Sequence, residues 1–225
     1  MRAIVVRPAP GAARTLALLK ERGIAAEAMP LFVTAPVDWA APPARDFDAM
    51  LLTSANAVRH GGAGLATLAS LPVVAVGPAT AAVAAAAGLT VAITGEGDVA
   101  AVVARARLAG LTRLLHLAGR DRVAAGTAAV VVYASDPVGI APGAAADFAG
   151  ATVLLHSARA ARRVAALVDR DGVDRSTIAL GCFSDAVAQA AGAGWRSVAV
   201  AARPTDAALI EAAIDQHAAR GDKTP

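Results

Sequence analysis

Short apolar runs alternate with longer stretches of helical spacing along almost the whole chain. The first run, residues 2–7, is followed by an amphipathic stretch over 11–22 and a second extended piece over 24–32. A strand, a helix and a strand in this order form a right-handed crossover, which predicts a parallel sheet. Strands that are apolar at nearly every position indicate that both faces of the sheet are covered. The pattern therefore predicts an α/β fold.

One strand-to-helix passage occurs twice. Residues 73–88, VVAVGPATAAVAAAAG, predict a strand, a Gly-Pro turn and a helix. Proline suits the first helical position, and glycine suits the end of a helix. Residues 178–192, IALGCFSDAVAQAAG, repeat this passage, and a unit of about a hundred residues indicates two related domains. At an offset of 104 residues the matches are Gly77 with Gly181, Thr80 with Ser184, Val83 with Val187, and Gly88 with Gly192.

Two extended segments that contain proline mark the predicted domain borders. Residues 32–38, FVTAPVD, and 133–138, YASDPV, each follow an apolar strand. We interpret both as crossings between the same two domains, which are of ordinary size. The predicted fold class is two similar, flavodoxin-like, parallel-sheet α/β domains, of which the first is discontinuous. The predicted division is domain 1 at 1–33 plus 138–225, linkers at 34–36 and 133–137, and an inserted domain 2 at 37–132.

Small hydroxyl and glycine residues stand at the predicted strand-to-helix turns. Ligands of parallel sheets bind at this edge, where helix N-termini present backbone N–H groups to anions. Taken singly, these residues are explained as helix caps, each contributing about 1 kcal/mol. Their occurrence in both repeats favours an anion-binding function as well. The positions are Arg7, Ser54, Gly77–Thr80, Ser157 and Gly181–Ser184.

Motifs for other chemistry are weak or missing. Residues 95–100, GEGDVA, match a dinucleotide-binding glycine pattern, but the repeat partner at 202–206 contains no glycine. A flexible turn capped by Asp98 is the favoured interpretation. The sequence contains no P-loop, no nucleophile elbow and no cluster with metal-ligand spacing.

The few residues with reactive side chains have ordinary explanations. We expect Cys182 to be an inert, half-buried thiol, although a reactive one is conceivable on this turn. His116 and His156 fit core or strand-end histidines better than ligands or bases, and His60 fits a surface position. Tyr133 has two balanced interpretations: an amphipathic strand end with its hydroxyl in water, or a proton donor in a cleft between the domains.

Composition narrows the class of protein further. With 225 residues, of which 56% are hydrophobic, the chain can bury a real core and is not expected to be disordered. The charge-free stretch 61–95 is broken by Pro72, Gly77-Pro78 and Gly88, so no membrane span is expected. The single cysteine agrees with a reducing cytoplasm, and residues 1–10 predict a first strand and not a signal peptide.

The charged residues of the chain indicate which kind of ligand it binds. The net charge is +3 and nearly all of the basic residues are arginine, which suits carboxylate ligands, although a GC-rich genome also explains the bias. The basic residues are scattered and only 3% of residues are aromatic, so nucleic acid is not an expected partner.

Six segments carry a resemblance to a known family. In chain order they are Val6-Arg7-Pro8, FDAMLLTSANAV (47–58), VVAVGPATAAVAAAAG (73–88), VVVY (130–133), VLLHSARAARRV (153–164) and IALGCFSDAVAQAAG (178–192). In this order they resemble the uroporphyrinogen-III synthase family over nearly the whole chain. The resemblance implies a bilobed, monomeric, cytosolic lyase of tetrapyrrole synthesis that uses no metal or organic cofactor. It implies that hydroxymethylbilane, a linear tetrapyrrole octacarboxylate, loses water and closes into uroporphyrinogen III with its last pyrrole inverted.

The resemblance also implies roles for particular residues. The family's motif tyrosine falls on Tyr133, which is then the expected acid. Two departures from the family are the segment 118–129, which is too short and glycine-broken for the usual helix, and the bulky Phe183. On the sequence alone, a two-lobed anion receptor or sensor without catalysis is the alternative. The expected substrate-binding residues are Arg7, Ser54, Asn56, Gly77, Thr80, Ser157, Gly181 and Ser184.

Overall fold

The protein is described by a computed structural model that covers residues 1–122 and 124–221. By contacts between Cα atoms the chain divides into two compact units. Unit 1 is Met1–Val33 together with the chain from Pro137 onward, and unit 2 is Thr34–Asp136. That these units fold as independent domains stays a prediction.

Strands and helices alternate along much of the chain that the structure describes. Three short 3-10 turns, at Ala44–Asp46, Ala144–Phe148 and Arg175–Thr177, lie in the connections. The strands are β1 (Arg2–Val5), β2 (Ala25–Ala28), β3 (Phe32–Pro36), β4 (Ala49–Leu52), β5 (Val73–Ala75), β6 (Val91–Thr94), β7 (Leu114–Gly119), β8 (Ala128–Pro137), β9 (Thr152–Leu155), β10 (Ala179–Cys182) and β11 (Ser197–Val200). The α-helices are α1 (Gly11–Glu21), α2 (Ala55–His60), α3 (Gly62–Thr67), α4 (Pro78–Ala86), α5 (Val99–Leu108), α6 (Ala158–Arg170), α7 (Asp185–Ala191) and α8 (Asp206–Gly221).

Unit 1 is built on a five-stranded parallel sheet in the order β11-β10-β9-β1-β2. Counted along the chain within this unit the order is 2-1-3-4-5, the flavodoxin order, whose switch point lies between the first and third strands. Successive side chains of β1 point to opposite faces. Ile4 therefore belongs to one buried cluster with Phe148, and Val5 belongs to another with Leu19 and Leu209.

Unit 2 contains a six-stranded sheet in the order β3-β8-β7-β4-β5-β6. The β3 and β8 strands carry the chain between the units. The other five strands are parallel where paired, and their places β8-β7-β4-β5-β6 correspond to β2-β1-β9-β10-β11 of unit 1. The two sheets thus share one arrangement that the chain enters at different strands. The predicted pair of similar parallel-sheet α/β folds is confirmed.

The repeat runs at a different offset from the predicted one. Adjacent strands pair Met50 with Val73 in unit 2 and Val153 with Leu180 in unit 1. Since β4 and β9 are equivalent strands, Met50 corresponds to Val153. Their partners Val73 and Leu180 therefore correspond to each other, which is an offset of 107 residues. Gly77 then corresponds to Ser184, and each of these two residues is the N-cap of its helix. The predicted offset of 104 is wrong, because the abundant small residues give more identities at that offset than at the offset set by strand pairing.

Two segments behave as the sequence predicted. The charge-free stretch 61–95 forms short helices and strands, and no helix in the described chain is long and apolar enough to cross a membrane. Between β7 and β8, residues 120–122 and 124–127 contain no helix, as expected for a segment this short. The parallel strands β7 and β8 are therefore joined without a covering helix in the described part of the connection.

Candidate functional site

Four polar or aromatic side chains of unit 1 follow the carboxyl ends of neighbouring strands. Arg7 follows β1, His156 follows β9, Phe183 follows β10, and Asp206 begins α8 after β11. Carboxyl ends of parallel strands lie along one edge of a sheet, and ligands bind where the strand order reverses. Since β1 and β9 are the strands at this reversal, Arg7 and His156 stand at the switch point of unit 1.

The Asp206 carboxylate is the centre of this edge. Nη1 of Arg7 donates to it at 3.1 and 3.3 Å, Nε2 of His156 lies 2.8 Å from Oδ1, and the Thr15 hydroxyl lies 2.9 Å from Oδ1. An ionised carboxylate only accepts hydrogen bonds, so His156 carries a proton on Nε2. We call Arg7, Thr15, His156 and Asp206 the Asp206 cluster. Three donors from separate elements hold this carboxylate in one position.

The charges of the Asp206 cluster are set by its burial and its bonds. Burial raises the pKa of Asp206, but hydrogen bonds from His156 and Thr15 and the charge of Arg7 outweigh it, and the pKa falls to about 2. Burial lowers the pKa of His156 by more than its bond to Asp206 raises it. At neutral pH the cluster therefore pairs one carboxylate with one guanidinium beside a neutral imidazole.

The predicted serines of unit 1 lie at helix starts. Ser157 is the N-cap of α6 and accepts the N–H of Ala160, whereas Ser184 is the N-cap of α7 with no side-chain capping bond. The expectation that Gly181 lies on the turn is wrong. It lies inside β10 between Leu154 and Ala199, so its backbone is part of the sheet. This misplacement has the same cause as the wrong repeat offset.

The predicted residues of α2 in unit 2 are bonded locally. Ser54 is the N-cap of α2 and accepts the N–H of Asn56, and the Asn56 amide oxygen accepts from Arg59. Both Ser54 and Asn56 are half-buried. They lie just beyond the carboxyl end of β4, where a ligand of this sheet is expected.

The predicted residues of α4 differ in accessibility. Gly77 is the N-cap of α4, and a Cβ atom there would meet no atom within 4 Å. Thr80 is only 8% exposed, and its N–H donates to the Gly77 carbonyl. The expected free hydroxyl and free N–H at Thr80 are therefore wrong, because the first turn of α4 directs this residue into the core. Gly77 keeps the open position that was expected.

Tyr133 lies half-buried in the middle of β8, and not at a strand end as expected, with its ring against Gly119 of β7. A Cβ atom at residue 119 would be 2.8 Å from Cε2 and Cζ of Tyr133 and 2.9 Å from its hydroxyl oxygen. Only a glycine leaves room for the ring. The His60 ring centroid is 6.2 Å from that of Tyr133, so the expected surface position of His60 is only half correct. Burial, and then Arg59, lower the pKa of His60.

The other reactive side chains have the ordinary roles that were expected. His116 is 1% exposed and its Nε2 lies 3.0 Å from the Thr53 hydroxyl, as for a satisfied core histidine. Cys182 is fully buried, and not half-buried as expected, and burial raises its pKa to about 12, which disfavours the thiolate. Phe183 packs edge-on against His156 at 4.4 Å. Within the described residues no three His, Cys, Asp or Glu side chains could hold a metal ion.

Sequence reasoning missed Asp206, Thr15 and Gly119. An acidic residue in the first turn of a helix is ordinarily explained as a partner of the helix dipole, so Asp206 gave no signal of its own. Thr15 reads as one polar residue inside a helix. Gly119 ends a buried strand beside the strand of Tyr133, and that adjacency is the signal that could have indicated it.

Two sheets of one arrangement, with polar groups beyond the carboxyl ends of their parallel strands, define a two-unit α/β protein. The family model for uroporphyrinogen-III synthase HemD matches residues 13–211. The chain belongs to the uroporphyrinogen-III synthase family.

Solved structures share this fold. Uroporphyrinogen-III synthetase from Helicobacter pylori is 16% identical, with 96% of this chain and 100% of that chain covered and a TM-score of 0.67. A mutant uroporphyrinogen III synthase from Thermus thermophilus is also 16% identical, with 96% and 99% covered and a TM-score of 0.53. At this identity the likeness supports the fold. Comparison with curated proteins gives no match.

Proposed function

We propose that this protein is a uroporphyrinogen-III synthase, a lyase that removes water from hydroxymethylbilane and closes it into uroporphyrinogen III. The observation that carries the proposal is the family match over residues 13–211. We propose that Tyr133, whose ring lies half-buried against Gly119, is the acid. We further propose that the enzyme is a cytoplasmic monomer.

The substrate supplies most of the reactivity in this proposal. The Tyr133 hydroxyl donates its proton to the terminal hydroxyl of the bilane, which leaves as water, and the remaining cation is stabilised by the pyrrole nitrogen. The inner carbon of the last ring then attacks this cation and forms a spiro intermediate. The bond from this carbon to its original methylene bridge breaks, and the released methylene cation bonds to the free outer carbon of the same ring, which inverts that ring. Loss of the proton on this outer carbon to the Tyr133 phenolate restores the acid. General acid catalysis contributes about 10²–10⁴-fold. Holding the reacting carbons together contributes about 7–11 kcal/mol.

Positioning requires that the substrate carboxylates be held. We propose that the polar edges of both sheets do this, through Arg7, Ser157 and Ser184 in unit 1 and Ser54, Asn56 and Gly77 in unit 2. Hydrogen bonds to a charged group contribute about 1.5–3 kcal/mol each. The proposed steps use only acid–base groups of the chain and the reactivity of the substrate.

The isomer of the product tests the function directly. Purified protein is supplied with freshly made hydroxymethylbilane, and the cyclic products are separated after oxidation. We expect the type III isomer. A product that is only type I, which forms by spontaneous closure, would overturn the proposal. If polycarboxylates stabilise the protein but no type III product forms, the protein is an anion receptor and not a synthase.

A further inference from the structure

Arg7 uses only part of its guanidinium within the protein. Nη1 donates to both oxygens of Asp206. Among the residues that the structure describes, Nε and Nη2 have no hydrogen-bond partner. The Arg7 side chain is 23% exposed, and Nε and Nη2 are the donors that it does not use within the described residues. An arginine edge formed by Nε and one Nη binds a carboxylate through two parallel hydrogen bonds.

The edge formed by Nε and Nη2 has a defined place. The guanidinium lies against Gly11, the first residue of α1, where a Cβ atom would be 2.3 Å from Nε and 2.8 Å from Nη2. The absence of a side chain at residue 11 is what allows the guanidinium to occupy this position. The partial positive charge at the start of α1 also favours an anion here.

Asp206 is the group that fixes this orientation. Its carboxylate is itself held by His156 and Thr15, and its side chain is 15% exposed. Arginine has a long and flexible stem, so without a fixed partner the guanidinium would sample other positions. Asp206 thus connects two buried neighbours to a partly exposed side chain.

We propose that Asp206 is a positioning residue that holds Arg7 so that Nε and Nη2 bind one carboxylate of the linear tetrapyrrole at two points. Gly11 completes the arrangement by leaving space for the guanidinium. The inference rests on the proposed function for the identity of the substrate. It adds to that function a group that never touches the substrate and acts through Arg7.

Two variants test the positioning in different ways. Asp206→Asn keeps the shape and removes the charge that holds Arg7. Gly11→Ala keeps all charges and places a methyl group where the guanidinium lies. Alanine is also the better helix former, so Gly11→Ala is not expected to unfold α1. The matched controls are Asp215→Asn, an exposed aspartate of the same helix, and Gly139→Ala, where a Cβ atom meets open space.

The expected result separates binding from chemistry. We expect both variants to raise the KM for hydroxymethylbilane by about tenfold or more, with kcat within about twofold of the unmodified protein. The controls should change neither constant. Unfolding midpoints are measured in parallel, and a purely structural role would lower them without raising KM in the folded protein.

Binding of the stable octacarboxylate uroporphyrin III, measured by titration calorimetry, gives a readout without turnover. If the unmodified protein forms type III product but both variants keep its KM and affinity, the positioning role is wrong and the function stands. If it forms only type I product, yet binds the porphyrin and both variants bind about tenfold more weakly, the function is wrong and the positioning role stands. Absence of both binding and type III product would overturn both.

Discussion

A methyl group added at Gly119 would collide with the proposed acid. The added Cβ atom would lie 2.8 Å from two ring carbons of Tyr133, whereas ordinary contacts begin at 3.4 Å. The ring must therefore move by roughly 0.6 Å or the strands must separate. A displacement of about 1 Å in a reacting group can cost about 10²-fold. For Gly119→Ala we expect kcat to fall by about 10–100-fold.

The stability effect of Gly119→Ala should be smaller. Overpacking costs about 1–3 kcal/mol, and the reduced freedom of the unfolded chain returns about 0.4–1 kcal/mol. A net loss of about 0–2.5 kcal/mol leaves a protein of ordinary stability folded at room temperature. Urea denaturation checks this value, and Gly139→Ala serves as the control because its Cβ atom would meet nothing within 4 Å.

The assay is the initial rate of type III formation, with Tyr133→Phe as the reference. We expect Tyr133→Phe alone to lower kcat by about 10²–10⁴-fold, because it removes the proton donor. In the double variant Gly119→Ala should add less than about threefold, since no hydroxyl remains to be displaced. A normal rate in Gly119→Ala, with Tyr133→Phe impaired, would refute the argument about position. A normal rate in Tyr133→Phe would remove Tyr133 from the mechanism.

Three further predictions concern unit 1. Gly181→Ala should destabilise the protein by about 1–3 kcal/mol in urea, because the added Cβ atom would be 2.9 Å from Cδ2 of Leu154, and an unchanged stability would contradict this packing. Cys182 should react with a thiol reagent at neutral pH only after unfolding, since burial raises its pKa to about 12, and fast labelling of the native protein would contradict that burial. Because folding lowers the pKa of Asp206 to about 2, its contribution to stability is fully present above its ordinary pKa and is lost as the pH falls from there through about 2. Acid titration should show that Asp206→Asn lacks this loss, of about 1 kcal/mol after allowance for solvent screening, and identical acid profiles would show that the carboxylate is not held.

Some features of this protein follow from a few neighbouring residues and were predictable. The caps at Ser54 and Ser157 and the proline at the start of α4 depend on local backbone geometry. The parallel sheets follow from apolar strands that alternate with helices, because burial on both faces removes polar positions. The inert state of Cys182 also agrees with its apolar strand.

The register of the repeat was not predictable in this way. Alanine, glycine and valine recur so often that the wrong offset of 104 gives more identities than the true offset of 107. Because of this error, Gly181 was predicted on a turn although it lies in a strand, and Thr80 was predicted to be accessible although it lies in the core. Register is decided by which residues pair across strands, and that pairing fixes which side chains face the core.

What the sequence alone determined is the alternation of elements, the helix starts and the family resemblance, because each depends on periodicity or on residues close along the chain. What only the tertiary structure decided is which side chains lie next to one another. Arg7 and Asp206 are 199 residues apart in sequence, and Gly119 faces Tyr133 because β7 and β8 are paired. Such contacts depend on strand order and register, which bring distant residues to the same edge of a sheet.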